Sequence, residues 1–294
     1  MNEAAIKILG PGDEALLEAF LLPRIETSMF LVGNMRASGL TDNGRAFEGT
    51  YAAALQDGEI TGVVAHYWNG NLVFQAPADL NLSLWQAAVR ASRRPISGLI
   101  GPNDQVAIAK QALQINDSMA QMDEVELLYS LDLDDLIVPG DLVSGEVTGR
   151  RIEPRDVELV TAWEVGYSIE AIGAQAGPEL FEKSQRTVER SLKGRCMWVL
   201  ERQSGPVACS SFNAVIKEAV QVGGVWTPPE LRRRGYGRSV VTASLLDARA
   251  EGADKAILFT GEDNIAAQRA YTALGFRHIG DYGLLLLRSP IEFV

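Results

Sequence analysis

The sequence predicts an α/β (α+β) protein of two tandem domains, each a mixed, mostly antiparallel sheet flanked by helices. The chain has 294 residues, which is enough for two domains of ordinary size. Its composition, with 47% hydrophobic and 22% charged residues, is that of a folded globular protein. Strand and helix patterns also follow one another in a similar order in both halves of the chain.

The second half gives the clearer pattern. Pro154 and Pro178 suit the first turn of a helix, and the turn at residues 202–205 predicts an antiparallel hairpin. The predicted elements are a strand at 150–152, helices at 154–167 and 178–194, strands at 196–200, 207–215 and 219–226, a helix at 235–250, a strand at 256–260, a helix at 265–274 and a strand within 276–287.

The first half repeats this order more weakly. Its predicted elements are a helix at 13–20, strands at 51–55, 62–67 and 71–75, a helix at 84–91, a strand at 96–100 and a helix at 105–113. Pro139, Gly140 and Gly145 punctuate the chain between the two patterns. We therefore predict domains at residues 1–144 and 145–294, with one topology occurring twice.

Charge and cysteine content exclude several classes of function. The formal net charge is −11, and residues 1–144 carry all of it, with 8 Lys and Arg against 19 Asp and Glu. Such an acidic field opposes nucleic acid. The N-terminus lacks a signal peptide and no apolar run approaches the roughly 20 residues that span a bilayer, so we expect a cytoplasmic protein without membrane contact. Cys196 and Cys209 lie in apolar runs, which argues against disulfides and against a metal site.

The most informative segment runs from Val225 to Ser239, where a strand ends and a basic, glycine-containing turn opens a helix. Gly235 and Gly237 allow backbone N–H groups to approach an anion, and a helix start supplies unpaired donors. The flanking positive charges are Arg232, Arg233, Arg234 and Arg238. The third glycine of a Rossmann loop and the Gly-Lys-Ser/Thr of a P-loop are absent from this segment, which counts against both nucleotide folds.

Two runs of residues carry a family resemblance. Arg232-Arg233-Arg234-Gly235-Tyr236-Gly237 resembles the Arg/Gln-x-x-Gly-x-Gly/Ala pyrophosphate loop of the GNAT superfamily of acyl-CoA-dependent N-acyltransferases. The run from Asn264 to Phe276 resembles the family's Asn-x-x-Ala-x-x-x-Tyr-x-x-Leu-Gly-Phe segment. The two runs stand in the family's order, separated by one helix and one strand. The resemblance covers residues 146–294.

The resemblance implies acetyl-CoA as co-substrate and implies that the strand ending at Trp226 splays from the strand at 256–260. The pantetheine arm would lie in the gap, bonded by backbone groups of Val225 and Thr227. The N–H groups of residues 233–239 would hold the pyrophosphate. The cofactor-binding residues so implied are Val225, Trp226, Thr227, Arg232, Arg233, Arg234, Gly235, Tyr236, Gly237, Arg238, Ser239, Asn264, Ala267 and Tyr271. Asn264 could equally be a plain helix N-cap, and Tyr271 a core aromatic residue.

Amide formation from a thioester requires a proton donor for the thiolate and a proton acceptor for the amine. Tyr271 is the candidate donor. Several family members place a Glu on the strand before the loop, and here that position is Gln221, whose amide is not a base but could position a water. Glu170 and Glu218 are candidate replacements, although either could equally be an exposed surface acid.

The first half lacks a pyrophosphate loop. We take residues 100–107 as its corresponding strand-turn-helix segment, which has no basic residue and carries Asp104. We therefore expect this half to be a degenerate repeat that has lost acyl-CoA binding. The whole chain is expected to be a monomer or homodimer that transfers an acetyl group from acetyl-CoA to a primary amine of a small molecule or peptide. The alternative is a non-catalytic acyl-CoA-binding or regulatory module.

Overall fold

The computed structural model describes residues 5–293, which fall into two compact units. The first unit extends to Leu128 and also contains residues 261–263 and those from Ile279 onward. The second unit comprises Tyr129–Thr260 and Asn264–His278. The units therefore do not coincide with the predicted halves 1–144 and 145–294. The end of the first half, from Tyr129, belongs to the second unit, and the end of the second half, from Ile279, belongs to the first unit.

The first half of the chain contains six strands and four helices among its described residues. In order they are β1 (Ala5–Ile8), α1 (Glu14–Leu21), α2 (Ile25–Ser38), β2 (Gly49–Gln56), β3 (Glu59–Tyr67), β4 (Asn71–Gln75), α3 (Ala78–Ser92), β5 (Ile96–Pro102), α4 (Asn103–Ala112) and β6 (Ala120–Asp132). The sequence pattern did not predict β1, α2 or β6. A short helix, α5 (Gly140–Val143), follows them.

The second half repeats this order. Its elements are β7 (Thr148–Arg151), α6 (Val157–Ile172), α7 (Pro178–Gly194), β8 (Met197–Arg202), β9 (Gly205–Val215), β10 (Ala219–Trp226), α8 (Tyr236–Ala250), β11 (Lys255–Gly261), α9 (Ile265–Thr272) and β12 (Arg277–Ile291). The predicted tandem organisation is confirmed, because each half runs strand, two helices, three strands, helix, strand, helix, strand.

The sheet of the first unit has the strand order β1-β2-β3-β4-β5-β12. Its pairings are antiparallel, except that β4 and β5 are parallel. Leu285 of β12 is fully buried in this unit's core beside Leu72, Phe74 and Leu99. The last strand of the second half thus completes the core of the first unit.

The sheet of the second unit has the order β6-β11-β10-β9-β8-β7, and its only parallel pairing among the described ladders joins β10 to β11. Helix α6 packs on this sheet through Val160 and Trp163, which join Cys209 and Trp226 in one buried cluster.

A capping box and an ion pair fix the start of α6. Glu153 caps the short turn before the helix reciprocally with Asp156. The carboxylate of Asp156 is held by both terminal nitrogens of Arg150, at 2.6 and 2.9 Å. Bidentate pairing of this kind fixes the orientation of both side chains and balances their charges. It therefore holds the start of α6 in one position.

The element order corrects one predicted correspondence. The segment equivalent to the β10–α8 turn is the β4–α3 turn at residues 76–77, and not residues 100–107. This turn is also without basic residues, and the Ala76 N–H already donates to Oε1 of Gln105 at 2.7 Å. A Cβ on Gly101 would lie 3.0 Å from Cβ of Phe74, so β4 and β5 remain in close contact at the end of their ladder.

Candidate functional site

Strands β10 and β11 separate towards one end of the second unit. Their ladder pairs residues 219–222 with residues 255–258 and ends there, although β10 continues to Trp226 and β11 to Gly261. The β9–β10 register is also interrupted between Gly223 and Trp226. Gly224 permits this bulge, with φ at +56° and only 2.5 Å from its Cβ position to Oγ of Ser211. The splay expected from the family resemblance is therefore present.

The turn between β10 and α8 presents a row of backbone donors. Arg233 and Gly235 have φ values of +62° and +86°, and α8 begins at Tyr236. Within residues 5–293, the backbone N–H groups of residues 233–237 have no hydrogen-bond acceptor. The N–H groups of Arg238 and Ser239 are already bonded to the Gly235 carbonyl, at 3.0 and 3.1 Å. Five consecutive donors without acceptors at a helix start are an arrangement that favours an anion, which makes this turn a candidate anion site.

The arginines of the turn differ in their engagement. The side chain of Arg232 already has partners for Nε and both terminal nitrogens. Its Nε donates to the Thr227 carbonyl at 2.9 Å, and its terminal nitrogens pair with the Glu170 carboxylate at 2.8 and 2.9 Å. Its guanidinium also lies 4.8 Å from the centre of the Trp226 ring. By contrast, the side chains of Arg233 and Arg238 have no acceptor in the part of the chain that the structure describes. These two side chains remain available to an anion.

A cavity of about 430 Å³ adjoins this turn. Its walls come from the α9 end, the turn and the segment before α5: Ile137, Val138, Pro139, Gly140, Asp141, Arg234, Gly235, Arg238, Ala273 and Leu274. Asp141 accepts the Ser239 hydroxyl on both carboxylate oxygens, each at 2.9 Å. The Ser239 hydroxyl is thus held by the segment that joins the two halves, and an acidic group stands in an otherwise basic cavity.

Helix α9 carries the second sequence run. Oδ1 of Asn264 accepts the Ala267 N–H at 3.1 Å, so Asn264 is a helix N-cap, one of its two predicted roles. Tyr271 is half-buried, and its ring lies edge-on to Phe276 with the centroids 5.9 Å apart. Val225, Trp226 and Thr227 lie where β10 leaves β11.

The structure places neither candidate base, Glu170 or Glu218, as an available carboxylate at the gap, and Gln221 is an amide that could only position a water. Gln221 is buried within the ladders of β10, opposite Ala214 and Ile257. Glu170 is exposed and paired with Arg232. Glu218 precedes β10 at its other end, seven residues before Val225 and so about 23 Å away along an extended strand.

A fourth carboxylate, Glu164, lies on the sheet side of α6. It is half-buried, and burial raises its pKa to about 6, partly offset by the charge of Lys183. Burial and the Glu164 charge together raise the pKa of the Cys209 thiol to about 12. Glu164 was not among the predicted site residues, although its spacing of four from Val160 already placed it on the buried face of the helix.

The described residues show no group of three or more His, Cys, Asp or Glu side chains suited to a metal ion. None of the described helices is both long enough and apolar enough to cross a membrane.

Comparisons with known proteins agree on the fold. The model of the Acetyltransferase (GNAT) family matches residues 163–276. No curated protein matches the chain. A GCN5-related N-acetyltransferase from Sphaerobacter thermophilus is 13% identical, with a TM-score of 0.58, 100% of this chain covered and 98% of that one. A GNAT-family acetyltransferase from Colwellia psychrerythraea is 14% identical, with a TM-score of 0.53 and coverage of 96% and 99%.

A tandem GNAT protein from the clavulanic acid biosynthesis pathway is 14% identical, with a TM-score of 0.56 and coverage of 99% and 100%. At these identities the likeness establishes the fold alone, and it extends over both halves of the chain. Residues 163–276 are therefore identified as a GNAT acetyltransferase domain, and the fold of the tandem GNAT structures extends over both halves of the chain.

Proposed function

We propose that the protein transfers an acetyl group from acetyl-CoA to a primary amine of a small molecule or peptide, by direct attack in a ternary complex. The observation that carries this proposal is the row of five unpaired N–H groups at residues 233–237, at the mouth of the gap between β10 and β11. A pyrophosphate fits such a row because its oxygens accept several short, charge-assisted hydrogen bonds.

In the proposed reaction, the residues of the second unit orient the two reactants. Residues 233–237 hold the pyrophosphate, with Arg233 and Arg238 adding charge, and the unpaired end of β10 receives the pantetheine arm. The amine nitrogen forms a bond to the thioester carbon while the carbon–sulfur bond breaks. Tyr271 donates a proton to the departing thiolate, and a group on the acceptor side takes the proton from the amine.

Only the second unit is proposed to bind the co-substrate. In the first unit the equivalent turn has no basic residue, Ala76 N–H is already bonded, and β4 stays packed on β5 at Gly101. We therefore expect one acetyl-CoA per chain. The full chain is the correct sample, because residues from Ile279 onward belong to the first unit and separate halves would each lack a strand.

Calorimetric titration with acetyl-CoA, followed by thiol release in the presence of a panel of primary amines, tests the proposed function. Binding at one site with amine-dependent thiol release supports it. The alternative is a non-catalytic acyl-CoA-binding module, which Gln221 favours because an amide stands where relatives carry a base. Tight binding without turnover of any amine would establish that alternative, and absence of binding would refute both.

Asp141→Asn should tighten acetyl-CoA binding about 5-fold. The amide keeps an acceptor for Ser239 but removes a negative charge beside the anion site, and like-charge repulsion at a surface is worth about 1 kcal/mol. The gain should shrink in 1 M salt, where charges are screened within about 3 Å. Asp134→Asn, an exposed carboxylate a few residues earlier, is the matched control. Equal or weaker binding by Asp141→Asn would show that the Asp141 carboxylate does not repel the bound acetyl-CoA.

A further inference from the structure

We propose that Glu164 takes the proton from the acceptor amine, and that the amine binds between α6 and the end of β10. This inference rests on the proposed function and assigns to it the proton acceptor that Gln221, Glu170 and Glu218 do not provide.

Glu164 lies on the helix that packs against the end of β10, where β10 has left the β11 ladder. Helix α6 lies directly against that end, since a Cβ on Gly166 would lie 2.9 Å from Cζ2 of Trp226. Cys209 is paired with Trp226 across β9 and β10, and its sulfur is 4.0 Å from the Gly224 carbonyl oxygen. The Glu164 carboxylate acts on this thiol electrostatically. Glu164 follows Trp163 and lies one helical turn after Val160, and both of those residues pack with Cys209 and Trp226, so Glu164 is carried on the side of α6 that faces the end of β10.

The Glu164 carboxylate is also available to a ligand. Within the described range, Glu164 makes no hydrogen bond or ion pair at contact distance, in contrast to Glu170, whose two oxygens are taken by Arg232. Trp163 and Tyr167 flank it on the same helix and belong to, or pack against, the apolar cluster of this unit. A half-buried carboxylate without a partner is unusual, because burial penalises an unpaired charge. A cationic amine would supply the missing partner.

Proton affinity is consistent with this position. Two titratable groups act on Glu164: the Lys183 ammonium on α7, which is charged, and the Cys209 thiol on β9, which is neutral at physiological pH. Burial outweighs Lys183, so the pKa of the carboxyl rises to about 6. A general base works best when its pKa lies near the working pH, since it is then both ionised and a reasonably strong proton acceptor.

The proton balance is simple. The acceptor arrives as an ammonium ion and is attracted by the ionised carboxylate. Glu164 takes one proton, the neutral nitrogen forms the new bond to carbon, and the leaving sulfur receives a proton from Tyr271. As the amide forms, the nitrogen loses its second proton, which passes through water to the Tyr271 phenolate, and Glu164 releases its own proton to water, so that both groups are restored. The acceptor class is therefore a primary amine that is protonated in solution, and not an amine of low pKa.

Glu164→Gln tests the inference, with Glu158→Gln as the matched control on an exposed position of the same helix. We expect kcat/KM for a basic amine to fall about 10- to 1000-fold in Glu164→Gln and to stay unchanged in Glu158→Gln. The Kd for acetyl-CoA should not change in either variant, and the Tm should not fall in either, since Glu164→Gln removes a charge that burial penalises. For the unmodified protein, kcat/KM for the amine reports the ionisation of the free protein, so it should rise with pH through about 6 and then level, and this limb should disappear in Glu164→Gln.

Turnover by Glu164→Gln within about 3-fold of the unmodified protein would overturn the assignment while leaving the acetyltransferase proposal intact. The assignment is equally overturned if the unmodified protein shows no rise of kcat/KM near pH 6, a measurement that does not depend on the folding of any variant. If the unmodified protein binds acetyl-CoA but acetylates no amine, the proposed function itself fails and this inference fails with it. The three results are distinguishable.

Discussion

Gly237→Asp is expected to abolish acetyl-CoA binding while leaving the protein folded. A Cβ at Gly237 would lie 3.7 Å from Oγ1 of Thr227 and 4.0 Å from Cγ1 of Val225, which are ordinary van der Waals contacts. Its φ is not positive, so the backbone accepts a side chain. The new carboxylate would project towards the end of β10 beside the free N–H groups, where it repels phosphate and competes for the donors.

We expect the Kd for acetyl-CoA to rise by at least about 1000-fold, or ~4 kcal/mol, which corresponds to losing two charge-assisted hydrogen bonds at ~2 kcal/mol each. Calorimetry gives the Kd and thermal unfolding gives the Tm, which should change little. Gly237→Ala is the matched control, and it should keep most of the affinity because the family's loop admits Ala at this position. If Gly237→Asp binds acetyl-CoA normally, the pyrophosphate site lies elsewhere.

Glycine is needed at Gly235 and at Gly237 for different reasons. Its φ of +86° is a left-handed conformation that costs a non-glycine residue about 1–3 kcal/mol. Substitution at Gly235 would therefore distort the backbone of the turn. Substitution at Gly237 leaves the backbone unchanged and tests only whether a side chain or a charge there blocks the ligand. The sequence motif contains both glycines and does not distinguish their two roles.

Local signals in the sequence predicted much of the fold. The bounds of β10 and α7 are those predicted, because apolar runs there are flanked by turn residues or by a proline at the helix start. Helix α2 was missed although its buried residues follow a helical spacing from Ile25 to Met35, because Ser28 interrupts the apolar face and the consecutive apolar residues 29–32 obscure the period. The neighbours of the last strands could not be predicted, because periodicity identifies a strand and its faces without identifying its partners.

The candidate site likewise has a part that could be predicted from the sequence and a part that could not. The candidate anion-binding turn is contiguous in sequence, so its residue types and spacing were sufficient to propose it, and binding there stays a prediction. The groups that modify it are distant: Asp141 and Ser239 are 98 residues apart, and Glu170 and Arg232 are 62 apart. Such contacts arise from tertiary packing alone. Consequently Glu170, predicted as a possible base, is found in an ion pair.

Tyr271→Phe is expected to lower kcat by about 10- to 1000-fold, the scale associated with the loss of one general acid. The substitution removes only the hydroxyl group. The ring and its edge-on contact with Phe276 remain, so the end of α9 should keep its packing. Without a proton donor, the sulfur must leave as a free thiolate, and the barrier to breaking the carbon–sulfur bond rises.

Single-turnover kinetics with bound acetyl-CoA isolate this chemical step from binding and product release. The Kd for acetyl-CoA should stay within about 2-fold of its original value, because the anion site at residues 233–237 is untouched. Tyr129→Phe, which removes a phenol hydroxyl from another position in the same unit, provides the matched control and should leave kcat unchanged. A normal single-turnover rate in Tyr271→Phe would mean that Tyr271 only packs against Phe276, and that the thiolate is protonated by water or by another residue.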